Sequence, residues 1–533
     1  MVADFKEDLL SYSWKDFPDC APITRHFIDR NDLIRNWIAA WPNEKHLLEC
    51  ARKRQFSQES RALLVKNLLQ QYHESGLQEN IPEGIHKLLN PNTFTVCTGH
   101  QLCLLGGPSF IWVKLTQLCR LAQSVNDNQS DIHVVPVFWL ASEDHDIAEI
   151  SKISLGGREF VWSSSEQGPT GKLRPTGIEK IMEDIQTSFP QLWNSQTLNE
   201  IREAYGCDNL AGAWRRLIHR VAGHLGIVVI DGNNPSFKSC FSDIIIQELE
   251  DGFMHRTMQT QLEAFKHNGF DIPVNPRECC LFYMRDGYRS RIVRKENDSF
   301  ETAEGLYRWS LMEIVHEAKT SPENFSPNVL MRPLYQECIL PNLLYLAGPS
   351  ELSYWLQLKP CFDVVKMDFP LLHLRSGLTM ISNSAQKGML KWNLTLPQLM
   401  HPSDVILSQL IRRDSTLLFE EMKMIEELWV RVVSKASKTD ITLKASAEAE
   451  WKRVSESIQR IEGKMMKAEK RKNSELSSAI SKLKESLFPG AKYQERGEGM
   501  LIFHPVESRL LDRLMRQINP WASEMILMEW QND

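Results

Sequence analysis

The sequence predicts an α/β protein in which a doubly wound parallel sheet is joined to a long helical arm. Two patterns support this fold class. Short apolar runs alternate with helical segments over much of the chain, which is typical of a parallel sheet. Further along, the chain becomes strongly charged while its apolar residues keep a three-four spacing, which is typical of a coiled coil.

Five apolar runs are the candidate strands of the sheet. They lie at residues 93–97, 137–140, 226–230, 343–347 and 370–374. Turn-forming or ionisable residues follow each run, so each strand has a defined end. Alternating runs between residues 281 and 293 predict further strands within an insertion.

Four parts are predicted along the chain. They are a helical segment over 1–90 that packs on the core, a core over 91–385 with insertions at about 151–210 and 262–320, a helical coiled-coil arm over 386–487, and a final segment over 488–533 that returns to the core. The arm carries apolar stripes from Leu418 to Val432 and from Trp451 to Leu483. The second stripe exceeds what one short helix can cover, so we expect a homodimer formed through the arm.

Composition narrows the class of protein. The chain has 533 residues and a formal net charge of −6, which disfavours a general nucleic-acid surface. No apolar run is long enough to cross a bilayer, and the first residues show no signal-peptide pattern. Eleven cysteines are scattered without a Cys-x-x-Cys pair, as is typical of a reducing compartment. We therefore predict a cytoplasmic protein whose partners are neither nucleic acids nor membranes.

An acidic cluster follows the second candidate strand and is the first candidate site. It consists of Glu143, Asp144, His145 and Asp146. Ligands of open α/β sheets bind just past the carboxyl ends of strands, where carboxylates and an imidazole can transfer protons or hold a cation. One histidine among oxygens suits Mg²⁺ or Mn²⁺ better than structural Zn²⁺, but the spacing alone leaves a divalent metal open. The alternative is a helix cap with a solvated acidic turn.

Two glycine turns are further candidates. Thr98-Gly99-His100-Gln101 precedes Gly106-Gly107-Pro108-Ser109, and Gly348-Pro349-Ser350 repeats the same turn before Tyr354. Glycines allow a ligand to approach the backbone, and free N–H groups at a helix start attract anions. His100 could donate to a phosphate or a carboxylate. The alternative is a purely structural strand-to-helix turn.

A third candidate places an arginine within one helical turn of an amide and an acid. Arg332 could clamp a carboxylate or phosphate, with Gln336 and Glu337 close by. The alternative is a buried pair of Arg332 with Glu337.

Taken together, these motifs resemble the bacillithiol biosynthesis cysteine-adding enzyme (BshC) family. The motifs that carry the resemblance are Gly99-His100-Gln101 with the Leu-Leu-Gly-Gly-Pro turn, Pro136-Val137-Phe138-Trp139 with Glu143-Asp144-His145-Asp146, Asn328 to Pro333 with Gln336-Glu337, Ala347-Gly348-Pro349 with Tyr354-Trp355, and Gln494-Glu495-Arg496. The resemblance implies a Rossmann-like core with two connecting insertions and a coiled-coil arm, similar to class I aminoacyl-tRNA synthetases. It also implies a ligase that adds L-cysteine to the amine of glucosaminyl-malate in the last step of bacillithiol biosynthesis. Amide formation needs an activated acid, for which ATP is the natural donor, and the sequence leaves open an adenylate, a phosphate or another donor.

With this resemblance, each candidate residue is assigned an expected role. The expected catalytic residues are His100, Asp144, His145 and Asp146. The expected substrate-binding residues are Thr98, Gly99, Gln101, Gly107, Glu143, Arg332, Gln336, Glu337, Gly348 and Tyr354. Arg375, Ser376, Gln494 and Arg496 are expected to bind ATP or ADP, and no metal ligand is assigned. The alternative function is a non-catalytic coiled-coil adaptor whose core only binds a metabolite.

Overall fold

The computed structural model describes residues 10–190, 195–285, 287–296, 298–414, 418–499 and 510–530. Within these residues the chain divides into two compact units. The first unit is formed by residues 10–15, 19–379 and 494–528, and the second by residues 16–18, 380–493 and 529–530, apart from the gaps just given. Both units are therefore assembled from separate stretches of the chain.

Strands and helices alternate through most of the first unit, and the second unit contains mainly helices. The elements of both units are given together in chain order. The described strands are β1 (Leu10–Ser13), β2 (Thr93–His100), β3 (His133–Leu140), β4 (Lys152–Leu155), β5 (Arg158–Val161), β6 (Val228–Asp231), β7 (Leu281–Arg285), β8 (Tyr288–Arg294), β9 (Ser299–Thr302), β10 (Arg308–Ser310), β11 (Phe325–Pro327), β12 (Asn342–Ala347), β13 (Leu371–Leu374), β14 (Gly377–Ser382) and β15 (Glu524–Trp530). The described helices are α1 (Pro22–Ile28), α2 (Glu44–Lys53), α3 (Gln58–Glu74), α4 (Glu83–Lys87), α5 (Phe110–Asn128), α6 (Ile147–Ile150), α7 (Ile178–Ser188), α8 (Ser195–Tyr205), α9 (Leu210–Ala222), α10 (Pro235–Asp251), α11 (Phe253–His267), α12 (Leu311–Thr320), α13 (Arg332–Ile339), α14 (Pro349–Trp355), α15 (Lys359–Val364), α16 (Asn383–Trp392), α17 (Leu396–Leu399), α18 (Ser403–Asp414), α19 (Phe419–Thr439), α20 (Leu443–Lys472), α21 (Ser474–Leu487), α22 (Gln494–Gly497) and α23 (Leu510–Gln517).

The first unit is built on a parallel sheet with the strand order β13-β12-β2-β3-β6. Each pair of neighbouring strands runs parallel. The strands are buried along almost their whole length, as expected for a parallel sheet that is covered by helices. All five candidate strands belong to this sheet, so the predicted α/β fold with a doubly wound parallel sheet is confirmed.

The strand order reverses beside β2. The chain passes from β2 outward to β3 and β6, and then returns to the other side of β2 to add β12 and β13. The connections that leave β2 and β12 therefore run in opposite directions. Such a reversal opens a crevice at the carboxyl ends of the two strands. In this chain the crevice lies just beyond His100 and Ala347, the last residues of β2 and β12.

A second sheet of the first unit is antiparallel, with the strand order β10-β9-β8-β7-β11. Its β7–β8 hairpin confirms the strands predicted between residues 281 and 293. Strand β11 pairs with β7 on the opposite side from β8. Three residues of this sheet, Phe282, Arg289 and Ser326, contact the acidic cluster.

The second unit is helical, and its two long helices α19 and α20 pack against each other. The rings of Trp429 and Trp451 stack with their centroids 5.7 Å apart, and Trp429 Nε1 donates to the carbonyl of Ala447 at 3.0 Å. The predicted helical coiled-coil arm is confirmed. The second apolar stripe is divided between two helices, because α20 ends at Lys472 and Leu483 belongs to α21, where it is buried. Among the described residues, no helix is both long and apolar enough to cross a membrane.

Apolar side chains are exposed on the two long helices. On α19, Met424 is 69% exposed and Leu428 is 57% exposed, while Ile461 on α20 is 54% exposed. Residues four positions apart lie on one side of a helix, so Met424 and Leu428 form an apolar strip. We propose that this strip contributes to a homodimer formed through the arm.

Replacing Met424 and Leu428 together by Asp should convert the dimer to a monomer. A carboxylate buried in an interface without a partner costs roughly several kcal/mol, whereas an exposed helix position tolerates Asp. Light scattering across micromolar concentrations measures the mass. The matched control replaces the neighbouring exposed Lys423 and Glu427 by Ala, which should leave the dimer intact. A monomeric mass for the unmodified chain, or a dimer that survives the double Asp change, would contradict the proposal.

Candidate active site

A cavity of about 1030 Å³ opens in the first unit at the carboxyl ends of β2, β3 and β12. It occupies the crevice that the reversed strand order creates. Residues at or just beyond the ends of the three strands contribute to its walls, among them His100, Gln101, Glu143, Asp144, His145, Gly348 and Glu351. Arginines from other elements complete the lining, and those discussed below are Arg289, Arg332, Arg375 and Arg496.

The acidic cluster after β3 serves two purposes. Asp144 and His145 line the cavity. Asp146 is instead the N-cap of α6, where its carboxylate accepts the backbone N–H of Glu149 at 3.1 Å. Such a contact satisfies a helix N–H that has no partner within the helix. The helix-cap alternative therefore describes Asp146, whose expected catalytic role stays a prediction, while its neighbours face the cavity.

Both carboxylate oxygens of Asp144 accept hydrogen bonds. Gln101 Nε2 donates to Oδ2 at 2.5 Å, and the backbone N–H of His145 donates to Oδ1 at 2.8 Å. The same Gln101 amide also donates to Glu149 at 2.8 Å. Gln101 thus holds two carboxylates in place at the cavity. Within the described part of the chain, no three His, Cys, Asp or Glu side chains are arranged to hold a metal ion.

Glu143 connects the cavity to a buried lysine. Its carboxylate forms an ion pair with Lys238 of α10 and accepts the hydroxyl of Ser326 at 3.0 Å. Lys238 is fully buried, and burial lowers its pKa. A buried ammonium is strongly destabilising without a counter-charge. Glu143 therefore stabilises Lys238, and its expected substrate-binding role stays a prediction.

His145 lies beside an arginine that the sequence analysis did not identify. Arg289, in β8, places Nη1 2.7 Å from His145 Nδ1 and 3.9 Å from Asp144 Oδ1. Burial lowers the pKa of His145, and the charge of Arg289 lowers it further, although Asp144, Asp146 and Glu304 act in the opposite direction. His145 is therefore mainly neutral at pH 7.

The end of β2 combines a structural residue with residues of the cavity. Thr98 is buried and donates its hydroxyl to the carbonyl of Leu346 at 2.8 Å, which joins β2 to β12. Gly99 and His100 line the cavity. Burial lowers the pKa of His100 to about 4, and its ring packs edge-on against Phe110 with centroids 5.2 Å apart. His100 therefore presents a neutral ring to the cavity.

The two glycine turns differ in their relation to the cavity. Gly348 lines it, has a φ of −73°, and donates its N–H to Glu351 at 2.7 Å. Gly107 has a φ of 64°, and a Cβ at this position would lie 2.6 Å from Cβ of Cys103. Backbone conformation and packing thus account for glycine at position 107. Its expected substrate-binding role stays a prediction.

Glu351 anchors the second glycine turn through an ion pair with a buried lysine. It lies 2.5 Å from Lys114 Nζ and accepts the hydroxyl of Tyr345 at 2.8 Å. Lys114, which the sequence analysis did not identify, also donates to the carbonyl of Gly99 at 3.1 Å. Burial lowers the pKa of Lys114. Burial also acts to raise the pKa of Glu351, but the charge of Lys114 together with the hydrogen bonds from Lys114, Gly348 and Tyr345 holds that pKa below its usual range. The pair joins the walls formed by α5 and α14.

Arg332 lies at the cavity with neutral partners. Its Nη1 donates to Gln336 Oε1 at 2.9 Å, and Nη2 donates to the hydroxyl of Tyr354 at 3.3 Å. Within the described residues, no carboxylate lies within 4 Å of its guanidinium. Arg332 and Tyr354 therefore offer hydrogen bonds and one positive charge to a ligand.

Glu337 pairs with a different arginine from the one that the sequence suggested. It lies 3.3 Å from Arg54 Nη2, and both side chains are buried. Asn342 donates to its carboxylate at 2.7 Å and Gln336 donates at 3.0 Å, while burial raises its pKa to about 7. The suggested pair of Arg332 with Glu337 is wrong, because Gln336 lies between them and bonds to both.

The expected nucleotide residues surround a second buried ion pair. Arg375 donates to Glu495 through two nitrogens, at 2.7 and 3.1 Å. The N–H of Ser376 donates to Gln117 at 2.7 Å, which ties this segment to α5. Arg375 and the exposed Arg496 line the cavity, whereas Gln494 is buried in α22. Binding of a nucleotide by these residues stays a prediction.

The first unit has a parallel α/β core with a cavity where the strand order reverses, and the second unit is a helical coiled coil. These features define a class of proteins with a Rossmann-like unit and a coiled-coil unit. Two family models match the chain. The model described as "Bacillithiol biosynthesis BshC, N-terminal Rossmann-like domain" matches residues 11–376, and "Bacillithiol biosynthesis BshC, C-terminal coiled-coil domain" matches residues 378–530. The chain belongs to the BshC family, and the family resemblance of the motifs is confirmed.

Relatives of similar length carry the name "Putative cysteine ligase BshC". The protein of Cytophaga hutchinsonii is 31% identical over 510 residues, which cover 94% of this chain and 96% of the relative. The protein of Flavobacterium johnsoniae is 29% identical over a match that covers 96% of this chain and 98% of the relative. The protein of Flavobacterium psychrophilum is 30% identical over a match that covers 94% of this chain and 96% of the relative. The similarity therefore extends over both units.

Replacing Gly348 and Gly107 separately by Ala should distinguish ligand binding from folding. At Gly348 the new Cβ would lie 3.2 Å from Glu351 at the cavity wall, so we expect weaker ligand binding with little change in stability. At position 107 an alanine would have to adopt the positive φ of Gly107, which should reduce the free energy of unfolding by about 1–2 kcal/mol. Calorimetric titration with glucosaminyl-malate measures binding, and thermal denaturation measures folding. Unchanged binding by Gly348→Ala would remove this turn from the ligand site.

Proposed function

We propose that the protein is a ligase that joins L-cysteine to the amine of glucosaminyl-malate and so completes bacillithiol. Membership of the BshC family and the name of the relatives support the ligase class. The reaction forms an amide bond, and an amide bond between a free acid and an amine needs an activated acyl group. ATP is the proposed source of activation. The eleven free cysteines support a reducing, cytoplasmic setting.

The observation that carries the proposal is the meeting of Asp144 and Arg332 in one cavity. The two substrates bring an amine that must lose a proton and carboxylates that need positive partners. Asp144 is a carboxylate oriented by two hydrogen bonds, and Arg332 is a guanidinium without a carboxylate partner among the described residues. The cavity thus offers one group suited to each requirement.

The expected roles follow from this arrangement. Asp144 takes the proton of the attacking amine, since a positioned carboxylate can act as a general base. Arg332 binds a carboxylate of malate or of cysteine, with Tyr354 beside it. The phosphates of ATP would contact Arg496, because Arg375 is already paired with Glu495. Turnover would leave the amide product and the spent activating group to be released from the cavity.

Incubation of the purified chain with L-cysteine, glucosaminyl-malate and ATP tests the proposal. Mass spectrometry should detect bacillithiol, and product should depend on each of the three compounds. Product with another nucleotide but not with ATP would show a different activating donor. Binding of glucosaminyl-malate without any product, across a panel of nucleotides, would favour the metabolite-binding adaptor instead.

Asp144→Asn should lower kcat/KM by about 10²–10⁴-fold, the range of a lost general base. The substitution keeps the size of the side chain, so we expect the protein to remain folded. Asp131→Asn is the matched control, because Asp131 is exposed and is not part of the cavity lining. Equal losses in both variants, or near-normal turnover by Asp144→Asn, would contradict the assigned role.

A further inference from the structure

Arg289 is held firmly where the antiparallel sheet borders the cavity. Its side chain is 6% exposed, and its guanidinium carbon lies 3.9 Å from the centroid of the Phe282 ring. Its Nε donates to Ser326 Oγ at 3.2 Å, and its Nη1 lies 2.7 Å from His145 Nδ1. Ser326 in turn donates to Glu143 at 3.0 Å. Contacts through two nitrogens and the ring face leave the guanidinium little freedom.

The contact with Arg289 determines which nitrogen of His145 carries hydrogen. A guanidinium stays protonated and offers only donors, so Nδ1 must accept. The imidazole is then neutral, with its hydrogen on Nε2. Among the carboxylates that face His145, namely Asp144, Asp146 and Glu304, Asp144 Oδ1 lies 3.8 Å from Nδ1, which is too long for a hydrogen bond. The 2.7 Å contact with Arg289 therefore outweighs it.

The opposite side of the imidazole is available to a ligand. His145 lines the cavity, and its side chain is 44% exposed. No hydrogen-bond partner of Nε2 is found within the described residues. An N–H group in this position can donate to an oxygen of a bound molecule but cannot take up a proton there.

We infer that Arg289 is a positioning residue that holds His145 as a neutral imidazole with its hydrogen on Nε2, so that His145 donates a hydrogen bond to a carbonyl or carboxylate oxygen in the cavity. The inference rests on the proposed ligase function only for the nature of that ligand. It divides the work of the acidic cluster: Asp144 accepts the proton of the amine, and His145 supplies a fixed donor. Arg289 acts through His145.

Nitrogen NMR of the full-length chain with ¹⁵N-labelled histidine tests the inference without substrate. His145→Gln identifies the signals of His145 by their disappearance. Between about pH 6 and 8, the range in which histidines ordinarily titrate, Nε2 of His145 should carry the hydrogen. Hydrogen on Nδ1, or a protonated ring at neutral pH, would overturn the inference. This measurement needs no substituted Arg289.

Arg289→Met should release His145. Met keeps an apolar stem beside Phe282 but removes the donor and the charge, so we expect the Nδ1–H form to become populated and the titration midpoint of His145 to rise. Arg291→Met is the matched control, since Arg291 lies on the same strand and lines the same cavity. It removes the same charge and should leave the hydrogen on Nε2. An unchanged form and midpoint in folded Arg289→Met would overturn the inference.

The spectra also separate this inference from the proposed function. A chain that forms no bacillithiol but keeps hydrogen on Nε2 loses only the proposed ligase activity. An active chain with hydrogen on Nδ1 keeps the activity and loses the role given to Arg289. In an active chain, Arg289→Met should also lower kcat/KM at neutral pH, because the Nδ1–H form of His145 has no hydrogen on Nε2 to donate.

Discussion

The reversal of strand order beside β2 is the constraint on which the rest of the site depends. Parallel strands end at one edge of their sheet, and the connections from β2 and β12 part at that edge because later strands are added on opposite sides of β2. Segments that are far apart in sequence therefore border one cavity. His100 ends β2, Asp144 and Gly348 follow β3 and β12, and all three line the cavity.

Buried ion pairs give the cavity rigid walls and decide which charges remain for a ligand. An unpaired buried charge is strongly destabilising, and three charged groups of the cavity walls have an ion-pair partner behind them. The pairs are Lys114 with Glu351, Arg375 with Glu495 and Lys238 with Glu143. Arg332 has only neutral partners among the described residues. Its charge is thus available to an anionic ligand.

The fold and the position of the site were largely predictable from local sequence. A parallel strand is buried on both faces and reads as a short apolar run, which is why all five strands were identified. The ionisable residues Glu143, Asp144 and His145 after β3 line the cavity. Finer roles depended on tertiary contacts: Asp144 and Asp146 are two positions apart, yet one carboxylate meets Gln101 and the other caps α6. A pattern of charges does not show in which direction each side chain points.

The sequence by itself determined the apolar runs, the glycine turns and the family motifs, because these are properties of consecutive residues. Only the tertiary structure decided the partners of the charged groups. Lys114 lies in α5 next to apolar residues of the buried helix face. Arg289 and Arg291 are two positions apart on β8, which is far along the chain from His145. Neither pattern indicates what the basic group contacts. The state of His145 follows from an arginine that the sheet packing brings to 2.7 Å, and hydrogen bonds between such distant residues exist only once the chain has folded.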